Sequence, residues 1–448
     1  MGGRFVKFLN TFSHHFRSYR HDVSEGARQY MSGLMQGGKR KNMLHMAQVV
    51  PEADNRNLQQ FLTHSKWSAR EVMDHVAQEV SRSIGHDTDA CLLIDESGFA
   101  KQGKKSVGVA RQWLGRLGKV DNGQVAVFAS LCNGDKHTLI DTRLYLPKEW
   151  THDPQRCIEA GAPREEIAFK TKDQLALEII AHARALGLKF GWIGADAGYG
   201  KSCAVFYNLD KMGEKFFIDI PSDFSVYLSD PQPQLPQFKG AGRKTTRYKS
   251  AQKSQKACAL KALKEPGQWQ NVDVRKTTRG RLKLRAWRQT VYIWDNQKER
   301  ALKLTLLVSE NPDGTERKYT LTNAPDTEPT QELVYAQRQR FWVERSFEDA
   351  KGQCGMADYQ AQKWAAWHHH MALVMMAMYF MLEERIARKA DYPLLSCADI
   401  ETLLAFFLPR RDLNKREIIR QVEESHQRRK RAMLSHARMA KKREKTNG

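Results

Sequence analysis

Two apolar runs in this chain each stop at an aspartate: Cys91-Leu-Leu-Ile-Asp95 and Gly191-Trp-Ile-Gly-Ala-Asp196. Short apolar stretches of this kind suit strands buried inside a sheet. A third segment, Arg340-Phe-Trp-Val-Glu344-Arg-Ser-Phe-Glu-Asp-Ala-Lys351, reads as a helix. Arg340 and Glu344 are four apart and so are neighbours on its surface. Lys351, seven beyond Glu344, returns to the same face after about two turns. A carboxylate between two cations suits a metal ion held beside a phosphate. Asp95, Asp196 and Glu344 are therefore expected to converge on metal-dependent phosphodiester chemistry. In such chemistry carboxylate-held ions activate a water or hydroxyl and stabilise the leaving oxygen of an in-line displacement. Asp95 would bridge both ions, and Asp196 and Glu344 would each complete one.

The charge balance agrees. Lys and Arg outnumber Asp and Glu by 73 to 51, for a formal net charge of +22. Such an excess points to a polyanionic partner, most often nucleic acid. The seven cysteines include no Cys-x-x-Cys pair. They offer neither a disulfide framework nor a zinc knuckle, and fit a reducing cytoplasm. No apolar run reaches the ~18 residues needed to span a bilayer. The opening Met-Gly-Gly-Arg-Phe-Val-Lys lacks the apolar stretch of a secretory signal. Membrane insertion and export are not expected.

Residues 1–86 show helical spacing at 23–35 and 67–80, with Ser68 and Glu71 as a capping box. A basic break, Gly37-Gly-Lys-Arg-Lys41, lies between. This part reads as a helical N-terminal DNA-binding domain, with a structural cap on the core as the alternative. Strands then follow at 92–95, 124–131 and 138–146, the last two joined by a turn at Asn133-Gly134-Asp135. Asp173 is expected to cap a helix ending near Leu186, with Gly187 as its stop. Further strands follow at 189–196 and 214–220. The order strand, strand, strand, helix, strand matches the first half of a ribonuclease-H-like fold, whose first and fourth strands carry acidic ligands.

Residues 222–327 interrupt that plan. They hold a Pro/Gln-rich linker at 231–237, a Lys/Arg-dense part at 242–264, strand-like runs at 282–294 and 302–308, and a turn at Asn311-Pro-Asp-Gly314. A long helix is expected over 331–351 and another, rich in Met and aromatics, over 361–388. From Arg410 onward the tail carries 14 Lys/Arg against five Asp/Glu, read as frayed helix or disorder that adds phosphate affinity. The expected architecture is α/β. An RNase H-like core in two parts, 87–221 and 328–390, is split by a β-rich insertion at 222–327 ahead of the last catalytic helix. The helical domain 1–86 precedes it, and a basic tail, 391–448, follows.

Six segments together carry a resemblance. They are Ile94-Asp95-Glu-Ser-Gly-Phe99, Lys101-Gln-Gly-Lys-Lys-Ser-Val-Gly-Val-Ala-Arg-Gln112, Gly118-Lys-Val-Asp-Asn-Gly-Gln-Val-Ala126, Leu144-Tyr-Leu-Pro-Lys-Glu-Trp150, Ala195-Asp196-Ala-Gly-Tyr-Gly200 and Glu348-Asp-Ala-Lys-Gly352. With these the chain resembles the DDE transposases of bacterial insertion sequences, specifically the IS seven-oh-one family of the IS-four-like group. The resemblance implies dependence on two Mg2+ ions, with Mn2+ able to substitute. It implies binding to double-stranded DNA at terminal inverted repeats, end cleavage and strand transfer into target DNA. It also implies a homodimer on paired ends and a nucleoid-associated place in the bacterial cytoplasm.

The group's helix signature is Tyr, two residues, Arg, three residues, Glu, six residues, Lys. Arg340, Glu344 and Lys351 fit it; the tyrosine position holds Gln337. Arg340 is expected to bind phosphate near the scissile bond and Lys351 to hold the cleaved strand. The plain alternative is a surface ion pair with Glu344. Glu348 competes with Glu344 for the ligand role, and the spacing favours Glu344; Glu96 competes less strongly with Asp95. Trp287 and Trp294 are candidates to stack on a flipped base, with core packing as the alternative. Lys101, Lys104 and Lys105 are candidates for backbone phosphates. His368, His369 and His370 point to different sides of a helix, so packing or phosphate contact suits them better than chelation. Two other readings stay open: an RNase H-like nuclease without strand transfer, and a catalytically silent DNA-binding protein.

Overall fold

The computed structural model describes residues 1–36, 38, 40–238, 245–260, 268–277 and 280–447, with backbone alone from 439. Parts of the basic break at 37–41 and of the Lys/Arg-dense stretch at 242–264 lie outside these residues.

Five helices open the chain: α1 (Gly2–Thr11), α2 (Ser24–Met35), α3 (Met43–Val49), α4 (Asn55–His64) and α5 (Ala69–Ile84). Asp54 caps α4 by accepting from the amides of Arg56 and Asn57. Ser68 caps α5 by accepting from the Glu71 amide, without the reciprocal half of the expected box. Each cap satisfies donors that the helix leaves unpaired and contributes about 1 kcal/mol.

The strands begin with β1 (His86–Ala100), β2 (Ala110–Leu114), β3 (Lys119–Asn133) and β4 (Lys136–Leu144). β1 does not stop at Asp95. Its antiparallel ladder with β3 runs from Cys91–Cys132 to Ala100–Gly123, and that pairing keeps the strand extended past the apolar run. β2, which the sequence reading lacked, pairs with the first residues of β3. Gly134, at φ +62°, closes the expected β3–β4 turn. Short helices α6 (Lys148–Thr151) and α7 (Pro154–Glu159) lead to α8 (Lys172–Ala185). Its cap is Thr171, not Asp173. Thr171 and Gln174 form a reciprocal capping box, which satisfies two donors where Asp173 could satisfy one.

Next come β5 (Phe190–Ala195), α9 (Cys203–Lys211), β6 (Phe216–Ile220), the two-residue pair β7 (Ser225–Val226) and β8 (Gln255–Lys256), and four long strands: β9 (Gln270–Thr277), β10 (Gly280–Ile293), β11 (Leu302–Glu310) and β12 (Arg317–Thr322). The main sheet runs β2-β3-β1-β5-β6-β12-β11-β10-β9, with β4 also on β3. Among the described residues only the β1–β5 and β5–β6 pairs are parallel. The order β4-β3-β1-β5-β6 is that of an RNase H-like sheet, and the inserted strands continue it beyond β6.

The chain finishes with α10 (Thr330–Gln339), α11 (Phe341–Gln353), α12 (Trp364–Ala387), α13 (Cys397–Phe407) and α14 (Lys415–Asn447). The single long helix expected over 331–351 is broken at Arg340, which ends α10 and precedes α11. The tail forms the continuous helix α14. α12 is apolar on nearly every side because it is enclosed on nearly every side. The N-terminal helices share its core. Phe5 packs edge-on to Phe380 at 5.1 Å, and Arg4 pairs with Glu384 at 2.6 Å. Tyr30 and His370 share a hydrogen bond of 2.9 Å. His369 meets the carbonyls of Leu62 and Trp67, and His368 that of Trp364. The three histidines thus serve packing. All seven cysteines are free. Among the described residues no helix is long and apolar enough to cross a membrane.

Candidate active site

Strand register brings the two aspartates together. Ile94 of β1 lies opposite Ala195 of the parallel β5, so Asp95 and Asp196 follow side by side at neighbouring inner strands of the sheet. The Glu96 amide donates to the Asp95 carboxylate at 2.7 Å. The turn after Asp196 folds back on it, with the Gly198 amide donating to Oδ1 at 2.9 Å. That turn needs small residues. A Cβ on Gly200 would stand 1.9 Å from the Asp219 carbonyl oxygen, inside any allowed contact.

The third carboxylate arrives on α11, which is pinned to the sheet. The Ser346 hydroxyl lies 3.0 Å from the Ser130 hydroxyl and 2.8 Å from His137 Nδ1. Phe347 packs edge-on to Phe128 at 5.5 Å, and Trp342 stacks on His137. These contacts fix the helix rotation and aim Glu344 across a cleft of about 860 Å³ lined also by Asp95, Asp196, Glu348 and Lys351.

Arg340 joins the parts. Its guanidinium lies 2.8 Å from Glu344, 3.5 Å from Asp95 and 3.3 Å from Asp219. Burial works against its charge, but Asp219, Asp95 and Glu344 outweigh it and raise its pKa. Nε is not aligned for a hydrogen bond to Asp219, so that contact is ionic. Glu348 pairs instead with its helix neighbour Arg345 at 3.0 Å, and Glu96 with Lys172. Geometry therefore ties Glu344, rather than Glu348, to the aspartates.

Asp219 was not singled out in the sequence. It sits on β6, beside β5, where Ala195 pairs with Ile218. The Thr320 hydroxyl of β12 donates to it. Gln337 donates to that same Thr320 oxygen at 2.7 Å and accepts from Ser309. The glutamine in the signature's tyrosine position is thus a buried link in a chain from the inserted strands to Arg340.

The cleft strains its own charges. Burial first, then repulsion from Asp196, lifts the Asp95 carboxyl to about 7, with Arg340 opposing. Burial, with repulsion from Arg116, lowers the Lys351 ammonium to about 8. Of the carboxylates on this polar cleft, Asp95, Asp196 and Glu344 form an oxygen donor set suited to a hard divalent cation. The structure supports that fit through the raised Asp95 carboxyl, because a cation between the carboxylates would relieve their repulsion.

The remaining candidates scatter. Lys101 turns inward: its ammonium donates to the Tyr359 carbonyl at 3.0 Å and lies 3.5 Å over the Tyr359 ring. It is neither a free phosphate contact nor a solvated cation. Lys104 and Lys105 are exposed. Trp287 is 2% exposed and its indole N–H is taken by Gln268, so it packs in the core. Trp294 is half-buried at the end of β10, donates to the Lys298 carbonyl, and lies edge-on to Tyr227. Neither lines the acidic cleft. The indole that does is Trp113 at the end of β2, 54% exposed, with Arg116 beside it. A basic residue three beyond an unplaced tryptophan was the one sequence signal for this rim.

A ribonuclease-H-like sheet that brings two aspartates together, with a helix glutamate facing them across one cleft, defines a class of nucleic-acid-cutting enzyme, and comparison with known proteins agrees. A family model described as DDE superfamily endonuclease matches residues 7–291; the chain belongs to that family. The matched span covers Asp95 and Asp196 and ends before α11, so Glu344 lies outside it. The chain is also similar to a probable transposase for insertion sequence element IS701 from Microchaete diplosiphon. The two are 27% identical over 361 residues, 79% of this chain and 82% of that protein. Together these findings support a DDE transposase, an enzyme that depends on metal and has DNA as its substrate.

Proposed function

We propose that this chain cuts and pastes its own insertion sequence, binding the terminal inverted repeats as a homodimer, cleaving the ends and transferring them to target DNA. The observation that carries the reading is the placement of Asp95 on β1 beside Asp196, just past the end of the parallel β5, with Glu344 brought across the cleft by α11. Asp95, Asp196 and Glu344 would hold two Mg2+ ions, with Mn2+ able to substitute. When bound, such ions supply Lewis-acid stabilisation of the attacking and leaving oxygens.

The chain's own residues do the rest. Arg340, held among Asp95, Asp219 and Glu344, keeps the glutamate aimed at the aspartates and offers donors to a phosphate oxygen. Lys351 and Arg116 make the facing rim positive and draw in the DNA backbone. Trp113 presents an indole face on which a base can stack. The basic tail and the N-terminal helices would add affinity for the flanking duplex, in the nucleoid of a bacterial cytoplasm.

The test is excision in cells of a marker flanked by the gene's native flanking DNA. Wild type is expected to excise it, while Asp95→Asn, Asp196→Asn and Glu344→Gln bind the ends but do not. Activity in Glu344→Gln with failure in Glu348→Gln would transfer the ligand role. Cleavage without joining would leave a nuclease, and end binding without cleavage would leave a silent DNA-binding protein.

A further inference from the structure

A second cluster of donors lies away from the acidic cleft, and its chemistry is different. A single 3₁₀ turn at Ser13–Phe16 follows α1 and sets His14 and His15 next to each other. Their rings lie 4.0 Å apart. α5 brings His75 against them, with its ring 5.4 Å from His14 and 5.1 Å from His15. One nitrogen from each of the three falls within 4.8 Å of the others. None of the three lines the acidic cleft.

Two details go beyond proximity. His15 Nε2 and His75 Nδ1 are 2.9 Å apart, so one ring donates and the other accepts, and a lone pair already points into the cluster. The far nitrogen of His75, Nε2, lies 3.6 Å from the Glu79 carboxylate one turn along α5. A carboxylate behind a ligating imidazole fixes its tautomer and raises its basicity. Phe12 packs on the His75 ring at 4.4 Å and holds it in place. A tetrahedral ion with bonds of about 2.1 Å would set neighbouring nitrogens about 3.4 Å apart. Opening the His15–His75 pair by a few tenths of an ångström reaches that spacing.

We propose that His14, His15 and His75 bind a first-row transition-metal ion of the zinc class, oriented by Glu79 and separate from the carboxylate site. Imidazole donors select Zn2+, Cu2+ or Ni2+ over the hard ions that carboxylates take. Three protein ligands leave one position for water. The ion would clip the segment after α1 to α5, holding the N-terminal helix against the core it shares with α12.

The experiment uses the full chain, freed of metal and carrying Asp95→Asn and Glu344→Gln to disable the acidic site. Zn2+ is titrated by calorimetry in excess Mg2+, and melting is followed with and without Zn2+. One equivalent of Zn2+ is expected to bind and to raise the melting temperature. His14→Ala, at an exposed position, is expected to melt like its parent without metal and to lose both the binding and the shift. His75→Gln is expected to do the same. If the parent binds no Zn2+, or if His14→Ala and His75→Gln bind it as the parent does, the proposal is wrong.

Discussion

Arg340 Nε lies 3.3 Å from the carboxylate of Asp219, a residue on β6 that stands outside the Asp–Asp–Glu set. The same guanidinium reaches Glu344 and Asp95. Asp219 therefore decides where Arg340 points, and through it how Glu344 meets the aspartates. Replacing Asp219 by Asn keeps the shape and removes the charge. Activity is expected to fall on the order of ten- to a hundredfold, as for groups that orient a ligand from behind. The apparent Mg2+ requirement should rise while end binding in a gel shift stays near wild type. Unchanged metal dependence would show that Asp219 only supports the fold.

The Asp95 carboxyl, lifted to about 7, makes the metal-free protein sensitive to pH. An unfolded aspartate titrates near 3.9 (roughly, in model peptides), so between those values the folded form keeps a proton that the unfolded form releases. Stability is then favoured at low pH and lost as pH rises from about 4 to about 7, by up to about 4 kcal/mol. Denaturant melts of the metal-free wild type and Asp95→Asn should diverge across that window. Mg2+ should remove the difference for wild type. Parallel curves for the two proteins would show that Asp95 is ionised throughout.

Gly200 faces a wall of backbone. Gly200→Ala would press its methyl on the Asp219 carbonyl, forcing β6 and the Asp196 turn apart. A loss of about 1–3 kcal/mol in thermal or urea unfolding is expected, with activity falling further than stability alone accounts for. A melt matching wild type would mean that the turn absorbs the methyl.

Two tryptophans should behave oppositely. Trp113→Ala is expected to leave the melting temperature unchanged and weaken binding to distorted or nicked ends by about 1–3 kcal/mol, the value of one base stack. Trp287→Ala should cost about 3–5 kcal/mol of stability by leaving a cavity. Fluorescence anisotropy on labelled end DNA, paired with calorimetric melts, reads both. The reverse pattern would return the stacking role to the insertion.

The sequence shows the parts of the site that local pattern encodes. Asp95 and Asp196 were legible because each closes an apolar run, and Glu344 because helical spacing sets it beside Arg340. Asp219 was not, because it lies inside Phe-Phe-Ile-Asp-Ile and reaches the site only through the β5–β6 register. The break at Arg340 had no Pro or Gly to announce it; it falls at the residue whose guanidinium pairs with Asp95 and Asp219. Trp113 sits on β2, whose Ala-Arg-Gln-Trp-Leu shows no apolar alternation, and Trp287 alternates in a strand whose two faces the sequence does not distinguish. The turn at Gly134 and the order of the core strands were legible because turn chemistry and strand length are local.

The inserted strands change the mechanical setting of the chemistry. Because β12 pairs along β6, the three parallel strands beneath the carboxylates have partners on both sides. No border of the sheet lies next to the site. A chain shortened by removing 222–327 would leave β6 with a bare row of donors and acceptors, a template for pairing with other molecules. Such a truncation is expected to aggregate rather than yield a smaller working enzyme, so the insertion acts as a selvedge for the sheet.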